Sequence, residues 1–132
     1  SKGGRSMAQQ VSDSELTLMK ILWSAGGSAK YAAIMEELAK SGNTWQKNTV
    51  ITLLSRLADK GMLKTSKAGR RNEYIALVTE ADYQSAQART LVRKLYSGSA
   101  KGLVATLIQG EMLSEEEYRE LKRFWESGGK EP

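Results

Sequence analysis

A chain of 132 residues has the size of one ordinary domain, or of a small domain with an appendage. Hydrophobic residues at 40%, charged residues at 27% and a single proline describe a folded, mainly helical protein and exclude a disordered one. The absence of cysteine and histidine excludes disulfides, thiolate nucleophiles, the usual zinc, copper and haem ligands and every Ser-His or Cys-His catalytic pair, while the net charge of +5 suits a polyanionic partner.

No apolar run approaches the roughly 20 residues of a membrane span and no signal-peptide pattern is present, so a soluble, cytoplasmic protein without membrane contact is expected. Ser1-Lys2-Gly3-Gly4-Arg5-Ser6 ahead of Met7 reads as an appended leader, residues 1–6. Ser12-Asp13-Ser14-Glu15 is an S-x-x-E capping box, and Leu16, Met19 and Leu22 follow at helical spacing up to Gly26-Gly27. Ser28 is placed to cap a second helix, with Tyr31, Ile34, Met35 and Leu38 on one face, ending near Ser41-Gly42. A third helix is expected from Trp45 or Gln46 to Lys60, stopped by Gly61. Two strands, 62–66 and 73–77, then flank a glycine-containing hairpin tip, Lys67-Ala68-Gly69-Arg70-Arg71-Asn72. Beyond residue 78 the pattern is helical only: a long helix from Thr79 to about Tyr96, a short one with Leu103, Val104, Leu107 and Ile108, and a last one opened by Ser114-x-x-Glu117.

The ordered set predicts a mainly α protein with a small β-hairpin: a winged helix-turn-helix over 7–78, a helical dimerisation region over 79–126, and a tail over 127–132. Three helices in so few residues rarely make a sufficient core alone, so the tail must pack on the first part or on a second copy of itself.

Charge is not spread evenly. Between Thr44 and Arg71 stand Lys47, Arg56, Lys60, Lys64, Lys67, Arg70 and Arg71 against Asp59 alone. At 100° per residue, Val50, Leu53, Leu54 and Leu57 form a core-facing stripe on the third helix, and Asn48, Thr52, Ser55 and Asp59 lie opposite. Ile51 and Arg56 border that polar face, Thr49 lies beyond Arg56, and Gln46 and Lys47 sit in the first turn. Asn, Gln and Arg can bond base edges, Ile51 can meet a thymine methyl, and Lys47 can bond phosphate, so the face suits a major groove. A polar face opposite a leucine stripe also belongs to any surface helix. The hairpin charges Lys67, Arg70 and Arg71 also suit, as the lesser alternative, a role in keeping an exposed edge from aggregating. Trp45 reads as a packing anchor. Glu36-Glu37 and Glu115-Glu116-Glu117 fan around their helices without converging, and Gly26-Gly27 lacks the spacing of a phosphate loop, so no enzyme site emerges.

Ser12-Asp13-Ser14-Glu15-Leu16 through Ile21-Leu22-Trp23, Asn48-Thr49-Val50-Ile51-Thr52-Leu53-Leu54-Ser55-Arg56-Leu57 with Lys60-Gly61, and Leu95-Tyr96-Ser97-Gly98 before Leu103-Val104 resemble the BlaI/MecI/CopY family of bacterial repressors. The likeness runs from Val11 to about Trp125. It implies a homodimer in which each winged helix binds half of a pseudo-palindromic double-stranded DNA operator and the C-terminal helices join the subunits. It also implies repression of antibiotic-resistance or copper-homeostasis genes, released by an inducing protease or by metal. Copper-responsive members carry a C-terminal cysteine cluster, and this chain has no cysteine. Penicillinase-type members are cut at an Asn-Phe bond, where Thr106-Leu107 aligns here.

The expectation is a dimeric, non-enzymatic repressor without cofactor or metal. Gln46, Lys47, Asn48, Thr49, Thr52, Ser55 and Arg56 approach the major groove; Lys67, Arg70 and Arg71 contact phosphate or the minor groove. Leu91, Leu95, Leu103, Val104, Leu107, Ile108, Leu121 and Trp125 form the dimer contact. The rival reading is a winged-helix module that docks an acidic protein partner and never meets DNA.

Overall fold

Ser12 opens the first helix. In the computed structural model, which describes residues 10–130, its hydroxyl accepts the Glu15 backbone N–H at 3.1 Å, while its own N–H donates to the Glu15 carboxylate at 2.8 Å. The leader expected over residues 1–6 lies outside the described residues. Helix α1 (Asp13–Ser24) follows, then strand β1 (Ser28–Lys30), α2 (Tyr31–Lys40), α3 (Lys47–Asp59), β2 (Leu63–Ala68), β3 (Arg71–Ala76) and α4 (Glu80–Tyr96).

Two expectations need correction. Ser28 does not cap a helix: with Ala29 and Lys30 it forms a strand antiparallel to β3, in the register Ser28↔Ile75, Ala29↔Tyr74, Lys30↔Glu73, and α2 starts at Tyr31 with Lys30 as its N-cap. Burial of Ala29 beside Tyr74 outweighs the local capping preference of serine. The hairpin is therefore the larger part of a three-stranded antiparallel sheet, ordered β1-β3-β2. Its strands are also longer than expected, so the turn shrinks to Gly69 and Arg70, and Lys67 and Arg71 lie on strands. Gly69 carries φ +68, a backbone that a residue with a Cβ adopts only with strain.

The core forms where three helices meet over this sheet. Leu18, Met19 and Leu22 of α1, Ile34 and Leu38 of α2, and Val50, Leu53, Leu54 and Leu57 of α3 are buried with Met62, Leu63 and Tyr74. Each such side chain contributes about 1.5–3 kcal/mol by leaving water. The start of α4 joins this core: Tyr83 is buried, its ring 5.8 Å from that of Trp23 and tilted by 40°, and the Trp23 indole N–H donates to the Val78 carbonyl at 2.9 Å. The chain divides into two compact units between Ala88 and Arg89.

The second unit holds the rest of α4, α5 (Ala100–Gln109) and α6 (Glu115–Glu126). Ser99 caps α5 through the Gly102 N–H; Ser114 with Glu117 makes a full capping box on α6, and this second cap is the one the spacing predicts. No residue of α5 or α6 is buried, although both helices are rich in large apolar side chains.

Candidate nucleic-acid interface

The positioning of α3 begins at its two ends. Before it, the Asn43 side-chain oxygen accepts the Trp45 N–H at 2.8 Å and shapes the entry; the helix itself starts at Lys47, with Gln46 as N-cap rather than inside the first turn. After it, the Met62 N–H donates to the Leu57 carbonyl at 2.9 Å and the Gly61 N–H to Ala58 at 3.0 Å, a Schellman end that requires the left-handed φ of 77° at Gly61. Lys60 then ties this end to α1. Its Nζ lies 2.6 Å from Glu15 Oε1 and 2.7 Å from the Gln10 carbonyl oxygen. Glu15 is only 2% exposed. Burial pushes its carboxyl up, but the hydrogen bond and charge of Lys60 and the Ser12 N–H more than reverse this, holding it below the usual carboxylate range.

Between these ends the helix presents what its periodicity predicts. Val50, Leu53, Leu54 and Leu57 are buried, and Gln46, Lys47, Asn48, Thr49, Thr52, Ser55 and Arg56 are all exposed. Lys67, Arg70 and Arg71 are exposed on the wing. Among the described residues, none of these ten side chains is engaged in a hydrogen bond or an ion pair, so every donor remains free for an external acceptor.

Lys47 and Arg71, far apart in sequence, line one cleft of about 430 Å³ together with Ile51, Lys30, Tyr31 and Asn72. None of the last three is among the expected site residues: the sequence reading puts Tyr31 on the apolar face of the second helix and Asn72 in the hairpin tip. The signal of Lys30 was hidden by the assignment of Ser28 as a helix cap, which made it an interior helical position instead of the junction between a strand and α2. Arg56 does not line this cleft.

In the second unit, Leu91, Leu95, Val104, Ile108, Leu121 and Trp125 are exposed, Leu91 by 38% and Trp125 by 84%; Leu103 and Leu107 are half-buried. Leu121 and Phe124 line an open groove of about 620 Å³ along α6. Thr106 and Leu107 lie inside α5, where the Thr106 hydroxyl donates to the Gly102 carbonyl at 3.1 Å. Among the described residues no cluster of acidic side chains is arranged to hold a metal ion, and no helix is long and apolar enough to cross a membrane.

The family model for the penicillinase repressor matches residues 11–127. A penicillinase repressor of Bacillus licheniformis is 33% identical over 117 residues, which cover 89% of this chain and 90% of that protein. The methicillin resistance regulatory protein MecI of Staphylococcus aureus strain N315 is 31% identical over 118 residues, covering 87% and 92%. The solution structure of Bacillus licheniformis BlaI, in monomeric form with the blaP half-operator, covers 57% of this chain and 89% of that one at 37% identity, with a TM-score of 0.48. Matched over both of its compact units, the chain belongs to the penicillinase repressor family, the BlaI/MecI group of non-enzymatic, DNA-binding transcriptional repressors.

Proposed function

We propose that this repressor acts in the cytoplasm as a homodimer, each winged helix binding one half of a pseudo-palindromic operator upstream of resistance or homeostasis genes. Asn48, Thr52, Ser55 and Arg56 read base edges, with Gln46, Lys47 and Thr49 at the rim; Lys67, Arg70 and Arg71 hold backbone phosphates or enter the minor groove. The observation that carries this reading is the exposed face of α3, polar and free of internal partners, beside a wing whose three cations are equally free. Bases offer acceptors and donors to the first, and phosphates offer negative charge to the second.

The apolar side chains left open on α5 and α6 support the dimer. Exposed apolar side chains such as Val104 and Ile108 on α5 and Leu121, Phe124 and Trp125 on α6 are unfavourable in water and suit burial against a second copy. Joining two half-site binders raises the effective concentration of the second on DNA, so operator affinity depends on this contact. The release signal then acts on the same unit. Cutting the Thr106–Leu107 bond, or unpacking Leu103 to Ile108, separates the half-site binders; because this bond lies within a hydrogen-bonded helical turn, an inducing protease must first unwind α5.

Sedimentation of the free protein and footprinting on DNA from upstream of its own gene test the reading together. It requires a dimer and two protected half-sites about 10 base pairs apart or a multiple of that. A monomer that protects no defined site overturns it and favours docking to an acidic protein.

A further inference from the structure

Asp59, the last residue of α3, is the one acid between Thr44 and Arg71, in the most basic stretch of the chain. It does not sit to one side of the reading face. At 100° per residue it falls about 20° from Asn48 and between Thr52 and Ser55 around the helix, so its carboxylate stands at the centre of the polar face, opposite the buried stripe Val50, Leu53, Leu54 and Leu57. It is exposed, and among the described residues nothing neutralises it. The adjacent Lys60 has its charge committed elsewhere, to the Glu15 carboxylate at 2.6 Å and the Gln10 carbonyl at 2.7 Å. Arg56, one turn earlier, forms no ion pair with it. The negative end of the helix dipole adds to the same pole, whereas Lys47 and the free N–H groups of the first turn make the other end positive.

We propose that Asp59 is a specificity-determining residue of the DNA interface that acts by repulsion, penalising contact with sequences held by their phosphates alone. The inference rests on the DNA-binding reading above and adds an unfavourable contact to its favourable ones. A reading helix meets base edges with its N-terminal residues. With Asn48 at those edges, Asp59 lies about 16 Å further along the axis, where a straight helix leaves the curving groove and its last turn stands clear of the backbone. On other sequences no base contact fixes the depth or tilt of α3, and phosphate attraction alone holds the protein in many orientations. A carboxylate at the centre of the face then meets phosphates in a large share of them, and like charges brought together suppress the wrong partner.

Asp59→Asn, Asp59→Glu and a control, Glu36→Gln, are compared with the parent in the full chain. Glu36 is an exposed acid on α2 in a cleft to which neither α3 nor the wing contributes. Affinity for operator and for random duplex is titrated over a series of salt concentrations. Asp59→Asn is expected to raise affinity for random duplex about three- to tenfold per dimer at low salt, with the gain shrinking as salt rises, and to leave operator affinity within about twofold, so that the specificity ratio falls. Asp59→Glu keeps the charge and should keep the parent ratio; Glu36→Gln, the same change in net charge placed elsewhere, should keep it too. A loss of operator affinity in Asp59→Asn with random binding unchanged would make the carboxylate an acceptor for a cytosine amino group or a partner of Arg56, and would overturn the proposal. So would an equal gain on both duplexes, no change on either, or a gain in Glu36→Gln as large as in Asp59→Asn; each leaves the DNA reading standing while the parent prefers its operator. A parent without that preference would defeat the reading itself.

Discussion

Replacing Lys60 by Met removes the charge that pairs with the buried Glu15 carboxylate. In the parent, Lys60 Nζ sits 2.6 Å from Glu15 Oε1 and also binds the Gln10 carbonyl, so the substitution deletes two charge-assisted hydrogen bonds at once. Breaking a fully buried pair costs about 3–5 kcal/mol. Here the Lys60 side chain is 27% exposed, and Glu15 keeps the Ser12 N–H, so a loss of about 2 kcal/mol at neutral pH is the better figure. That corresponds to a fall in Tm of about 10 °C for a unit of this size. The pH dependence carries the sign. The Glu15 carboxyl is held below its ordinary range, so the pair contributes stability above the unfolded value near pH 4.3 and loses it as pH falls through the lower, folded value. Thermal unfolding of parent and Lys60→Met, followed by circular dichroism from pH 7 to pH 3, should show a wide gap that closes on the acid side. A gap that is absent at pH 7, or equally wide at pH 3, refutes the reasoning about Glu15.

Other substitutions separate the roles of the remaining residues. Arg56→Ala should weaken operator binding by about 1–3 kcal/mol with little change on random DNA, whereas Arg70→Ala should weaken both alike and lower the salt slope by about one; equal losses on both DNAs for both variants would sink this division. Gly61→Ala forces a Cβ into a left-handed backbone at the end of α3 and should destabilise by about 1–2 kcal/mol, read by urea unfolding, without altering the salt slope; parent-like stability would deny the Schellman end its role. Leu107→Asp in α5 should give a monomer by sedimentation and lower operator affinity at least tenfold, while half-site affinity stays unchanged; a monomer with parent affinity for the full operator would break the link between dimer and repression.

The parts of the molecule legible in its sequence are those whose cause is local. The S-x-x-E boxes at Ser12 and Ser114 close within one turn, and the stripe Val50, Leu53, Leu54 and Leu57 follows from helical geometry alone, so α3 and its polar face could be read directly. The strand β1 could not. Three residues, Ser28, Ala29 and Lys30, are too few to show alternation, and their partners, Ile75, Tyr74 and Glu73, come from the other side of the wing. Serine before a helical pattern is a stronger local signal than a pairing set by distant residues. The charge of the wing was legible, but its extent was not, because β2 and β3 pair on to Ala68 and Arg71 through backbone bonds that side-chain type does not report. The cleft holding Lys30, Lys47 and Arg71 was hidden for the same reason, since it exists only where β1, α3 and β3 come together.

The central claim is that the polar face of α3 reads sequence while the wing holds the backbone. It is tested most directly by titrating the purified protein against operator duplex from upstream of its own gene and against random duplex, at two salt concentrations. The account predicts a preference for the operator of roughly 10³ or more, retained as both affinities fall with salt. Equal, salt-sensitive affinity for the two duplexes would contradict it.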